Sequence, residues 1–120
     1  MALDHAQPGQ VIDIAPLGDA LQQAATHAIL KTRALELIRV VLREGEALPP
    51  HNVHGELTLQ CIEGAAEIEM PGSACTLRAG QLVLLPGALQ HGVRALQDCS
   101  LLLTIQLPEG RPGSASSTGG

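Results

Sequence analysis

Apolar and polar residues alternate along most of the chain in short runs, and turn-forming residues separate the runs. Val11 to Ile14 reads as a brief strand ended by Pro16, and Asp19 is placed to cap a short helix through Ala20 to Ala25. Ala28 to Thr32 and Leu35 to Leu42 follow as strands, closed by Gly45 and Pro49-Pro50. Leu57 to Ile62 stops at Glu63-Gly64. Ala66, Ile68 and Met70 then alternate with Glu67 and Glu69, which predicts a half-exposed strand running into the turn Pro71-Gly72. Ala74 to Leu77, Gln81 to Leu85, Gly92 to Leu96 and Leu101 to Leu107 complete the set. Short strands broken by Gly and Pro predict an all-β sandwich or barrel of two antiparallel sheets, with one short N-terminal helix.

Parity assigns faces. From Glu56 to Cys61 the positions Leu57, Leu59 and Cys61 are apolar and the intervening Glu56, Thr58 and Gln60 are polar. The first set belongs to the interior, so a regular strand directs Glu56 outward. Extended backwards, the same parity puts His51 and Val53 inside and His54 outside, unless a bulge in Asn52 to Gly55 turns His54 back in. Leu35 to Leu42 is apolar on both faces, so its outer face needs a cover. The ends read differently: residues 1–10 as a flexible N-terminus, 11–107 as the barrel, and 108–120, rich in Pro, Gly, Ser and Thr, as a disordered tail.

Composition removes several functions. The 120 residues include no Phe, Tyr or Trp, so no platform exists for stacking bases or sugars and no tyrosine can act as acid or nucleophile. Seven basic residues against twelve acidic ones give a net charge of −5, the wrong sign for a nucleic-acid footprint. Lys31 is the single lysine and lies in a strand, poor ground for Schiff-base chemistry. Cys61, Cys75 and Cys99 are odd in number and widely spaced, which fits neither a disulfide framework nor a zinc ribbon. The N-terminus shows no secretory pattern, and no apolar run approaches a membrane span. A cytoplasmic protein with no membrane partner is the expectation.

Two glycine-anchored stretches carry a family resemblance. The first runs from Gly45 through His51, His54 and Glu56 to Gly64, and the second from Gly80 through Pro86 to His91. Their order and spacing resemble the two motifs of the cupin superfamily: Gly, five residues, His-x-His, three or four residues, Glu, six residues, Gly; then Gly, five residues, Pro-x-Gly, two residues, His. The resemblance implies a small RmlC-like cupin, a jelly-roll barrel also called a double-stranded β-helix. The departures are specific. Aligned from Gly45 and Gly64, the second histidine falls on Val53 and the glutamate on Leu57, and Ala88 replaces a motif glycine.

On this resemblance the metal candidates are His51, His91 and His54, with Glu56 a weaker fourth, for a divalent transition metal such as Fe, Mn, Ni, Cu or Zn. Cys61 shares the interior by parity and reads as a soft ligand or a core residue. The pair His51 and His91 also reads as hydrogen-bonded histidines in a metal-free pocket, and His54 and Glu56 as solvated residues. Three functions stay open: a metal-dependent dioxygenase or isomerase acting on a small organic molecule, a non-catalytic ligand-binding or sensing module, and a dimeric scaffold. The resemblance implies a homodimer through the outer sheet, and an interior lined by Leu, Val and Ile with two or three imidazoles favours a small-molecule ligand, largely apolar with one polar or chelating end.

Overall fold

In the computed structural model the described residues are 5–51, 54–88 and 90–108. All of the expected C-terminal tail except Pro108 lies outside them, as does the expected flexible N-terminus before His5. Nine strands are described: β1 (His27–Lys31), β2 (Leu35–Leu42), β3 (Ala47–His51), β4 (Leu57–Glu63), β5 (Ala65–Met70), β6 (Ser73–Arg78), β7 (Leu82–Leu85), β8 (His91–Ala95) and β9 (Cys99–Gln106). They form two antiparallel sheets, one of five strands in the order β1-β2-β9-β4-β7 and one of four in the order β3-β8-β5-β6.

The alternation read from the sequence is what closes the barrel. Val40, Leu42, Leu57, Leu59, Leu101 and Leu103 of the larger sheet pack with Ala66, Ile68, Leu77, Val93 and Ala95 of the smaller. Burying one Leu, Ile or Val side chain contributes about 1.5–3 kcal/mol, so an aliphatic core of this extent closes without aromatic residues. Glu56 is exposed while Leu57, Leu59 and Cys61 are buried, as the parity of that strand requires.

Three local expectations are corrected. Val11 to Ile14 forms no strand, and residues 5–26 instead run as an arm across the outer face of the larger sheet, with the Ala6 N–H donating to the Ile29 carbonyl. The helix is a short 3-10 segment, Gly18–Gln23, whose N-cap position is Leu17 and not Asp19. Its leading N–H groups reach across the chain: those of Leu17 and Gly18 donate to the Glu63 carboxylate at 2.8 and 3.0 Å. Pro49-Pro50 does not end a strand but lies within β3, which is tolerated because β3 is a sheet edge and proline offers no donor to lose there.

The arm also supplies part of the cover that β2 needs. Arg39 donates to the Ala15 and Asp13 carbonyls, and the Val41 N–H donates to the Thr26 hydroxyl. Val41 is thereby buried by the chain's own N-terminal segment. Leu35, Leu82 and Leu84 on the same outer face stay exposed. Among the described residues no helix is long and apolar enough to cross a membrane.

Candidate functional site at the barrel mouth

β8 begins at His91, and its alternation puts His91, Val93 and Ala95 on the core side while Arg94 points out to pair with Glu67 at 2.6 Å. His91 is 3% exposed. The antiparallel register of β3 and β8 sets the Cα of His51 opposite that of His91, after an irregularity that follows Leu48. The expected interior pair is therefore brought to one register position of one sheet; the His51 side chain and Val53 lie outside the description. A recess of about 250 Å³ adjoins His91, walled by Glu69, Met70, Pro71, Gln90 and Gly92.

Backbone approaches shape this end of the barrel. A Cβ on Gly55 would overlap the Gln106 carbonyl, and one on Gly87 would overlap the His54 carbonyl. The segment carrying His54 is thus pressed against the turn that leads to His91. His54 itself is exposed. Glu56 is exposed too, donates its backbone N–H to the Gln106 side-chain oxygen at 3.2 Å, and lines a groove on the outer face with Thr58 and Leu84. Ala88, standing where the motif has glycine, keeps the left-handed backbone with φ 65°.

Cys61 behaves as a core residue. Its thiol donates to the Glu63 and Gly64 carbonyls at 3.4 and 3.5 Å, and burial pushes it above the usual thiol range. Cys99 is pushed up to about 12, first by burial and then by the charges and thiol around it. Neither is an available thiolate near neutral pH.

Among the described residues, no group of three or more His, Cys, Asp or Glu side chains gathers as metal ligands. A catalytic zinc takes three protein ligands, and the described side chains do not gather that many.

A second polar centre, absent from the motif reading, lies on the opposite face of the larger sheet. The Glu63 carboxylate accepts from the Ser100 hydroxyl as well as from Leu17 and Gly18. Burial raises its pKa, and these three donors together with the Arg39 charge outweigh that, leaving it below the usual glutamate range. Asp98 accepts from the Glu44 N–H at 2.8 Å and the Gln22 amide at 2.7 Å, and these bonds hold its carboxyl below the usual range. Arg43 binds the Gln22 carbonyl from the same side. The signal for this centre was a charge placed on an apolar strand: Arg39 between Ile38 and Val40.

No family sequence model matches the chain, and no curated protein matches it in sequence. Solved structures do match in shape. A conserved protein of unknown function from Streptococcus pyogenes is 19% identical, with 92% of this chain and 97% of that chain covered and a TM-score of 0.71. A cupin superfamily protein from Desulfitobacterium hafniense is 15% identical, with coverages of 86% and 100% and a TM-score of 0.72. An RmlC-like cupin family protein with a double-stranded β-helix fold, from Methanocaldococcus jannaschii, is 16% identical over 84% of this chain and 94% of that one, with a TM-score of 0.67. With two antiparallel sheets closed on one core, the chain has the small RmlC-like cupin fold of these neighbours.

Proposed function

We propose that this cupin barrel is a binding or sensing module that takes the polar end of a small organic molecule at its mouth, with His91 and His51 as the recognising pair. The observation that carries the reading is a buried His91, set in register with His51 beside a recess of about 250 Å³. That volume sits just below the usual range for small-molecule sites, so the recess takes one end of a small molecule. Imidazole both donates and accepts, which suits a hydroxyl or carboxyl end. The competing occupant is a divalent transition metal on the same two imidazoles, with His54 as third ligand and Glu56 as a weaker fourth. It would supply the Lewis-acid or oxygen chemistry of an isomerase or dioxygenase.

Elemental analysis of untagged protein, before and after incubation with excess divalent metal, decides between the two. Protein concentration must come from amino-acid analysis, since the chain has no Tyr or Trp. Metal far below one equivalent is the expected result. Near-stoichiometric metal that disappears in a His51→Ala/His91→Ala variant would replace the binding-module reading with the metal-dependent one. We further propose that two copies associate through the exposed leucines of the outer face.

A further inference from the structure

Among the described residues, the buried cation Arg39 has no carboxylate at contact distance. It is 4% exposed, yet among the described residues two of a guanidinium's five N–H groups are spent, on the main-chain carbonyls of Ala15 at 3.2 Å and Asp13 at 3.4 Å. Both bonds are long and both acceptors are neutral. Among the described residues the ion pair at contact distance is Arg94 with Glu67, and Glu63 acts on Arg39 only through its charge at longer range. Burying a charge without a matched acceptor is costly, and a carboxylate offers a guanidinium two parallel bonds.

Arg39 forms part of the wall of a cavity of about 290 Å³ between the arm and the outer face of β1 and β2. His27, whose ring is anchored through Nδ1 on the Ala25 carbonyl at 3.0 Å, stands opposite Arg39 in the β1–β2 register and lines the same cavity. A second cavity of about 350 Å³ abuts it, with Ala6, Gln10 and Ile12 common to both walls. The second cavity is lined by Pro8, Leu30 and Leu35, so an aliphatic space lies beside the one that Arg39 lines.

Charge narrows the occupant. Asp13 shares the cationic cavity, with its Oδ1 engaged by the Ala15 N–H at 2.9 Å, Glu63 lies on the same face, and the chain carries −5 overall. A dianionic phosphate meets that field twice over; a monoanion meets it once. We propose that the space under the arm binds an aliphatic monocarboxylate, its head on Arg39 beside His27 and its tail toward Leu30 and Leu35. This site is on the outside of the barrel and independent of the mouth.

The test uses the chain's lack of aromatic residues. Val11 is 92% exposed in the cavity rim, so Val11→Trp installs a sole fluorophore with little effect on packing. Octanoate is expected to shift its emission saturably, while octan-1-ol, acetate and inorganic phosphate bind at least about tenfold more weakly, in keeping with a lost charge-assisted hydrogen bond or a lost tail. In the same background Arg39→Gln weakens octanoate by about tenfold or more. Leu30→Gln, which leaves the Arg39 clamp on the arm intact, weakens octanoate but not acetate. The proposal is overturned by the absence of a saturable shift, by octan-1-ol or phosphate binding as tightly as octanoate, or by octanoate binding that neither variant alters.

Discussion

Ala88 occupies a left-handed backbone position, φ 65°, where the second motif carries glycine. An L-residue there costs about 1–2 kcal/mol, and glycine gives back about 0.4–1 kcal/mol through the freedom it adds to the unfolded chain. Ala88→Gly is therefore expected to stabilise the fold by roughly 0.5–1 kcal/mol. Urea unfolding followed by far-UV circular dichroism measures this without an aromatic probe. A less stable variant would mean that the alanine methyl holds a contact worth more than the backbone strain. Gly64, which closes the first motif, shows the opposite case. It has φ 78°, and a Cβ there would overlap the Asp98 carbonyl and come within 2.8 Å of the Cys99 Cβ, so the motif keeps its glycine for want of room. At this scale the sequence was readable where residues sit in regular strands: the outward turn of Glu56 follows from Leu57 and Leu59. His54 is exposed as well, the side on which the extended parity put it, although the chain there has left the ladder and packs against Gly87.

Among the elements, the strands were legible because each alternates toward one interior, and the arm was not. Val11, Ile12 and Ile14 look like a strand locally, but the arm's partners are Glu63 and Arg39, and Leu17 meets Glu63 across 46 positions of sequence. No local pattern encodes a carboxylate that caps a 3-10 turn from another sheet strand. The linkage has a pH signature. The folded-state pKa of Glu63 lies below its unfolded value, so its contribution is complete above about pH 4.3 and fades as pH falls through the folded value. Glu63→Gln keeps an acceptor but removes the charge. Its stability deficit against the parent is expected to be largest near neutral pH and to shrink as the solution is acidified, read as the difference in urea midpoints across the pH series. A deficit independent of pH would show that the carboxylate's charge contributes nothing to holding the arm. Asp98 is depressed for similar reasons, so the variant should retain some acid sensitivity of its own.

For the whole molecule, the arm covers one half of the outer face of the larger sheet and leaves the other half bare. Register carries an uncharged row across it, from Leu84 through Thr58 and Thr104 to Leu37, and Leu82 stands beside that row on β7, the free edge of the sheet. Leu82 and Leu84 are 61% and 59% exposed. Two such leucines together, unlike scattered ones, mark a surface that water disfavours. A second copy suits the patch because the row from Leu84 to Leu37 is uncharged, with Glu56 at its border, and a twofold axis makes the patch its own complement. The apolar outer face of β2 pointed to a cover from the sequence alone; in the structure the arm covers Val41, while Leu35 on β2 and Leu82 and Leu84 on β7 stay exposed. Sedimentation velocity on the wild type is expected to give a dimer, and Leu82→Lys/Leu84→Lys a monomer with the same far-UV spectrum, since these side chains touch little within their own barrel. A wild-type monomer at high protein concentration would overturn the association. A dimer that survives the double substitution would move the interface off this face, and the exposed leucines would then need another partner.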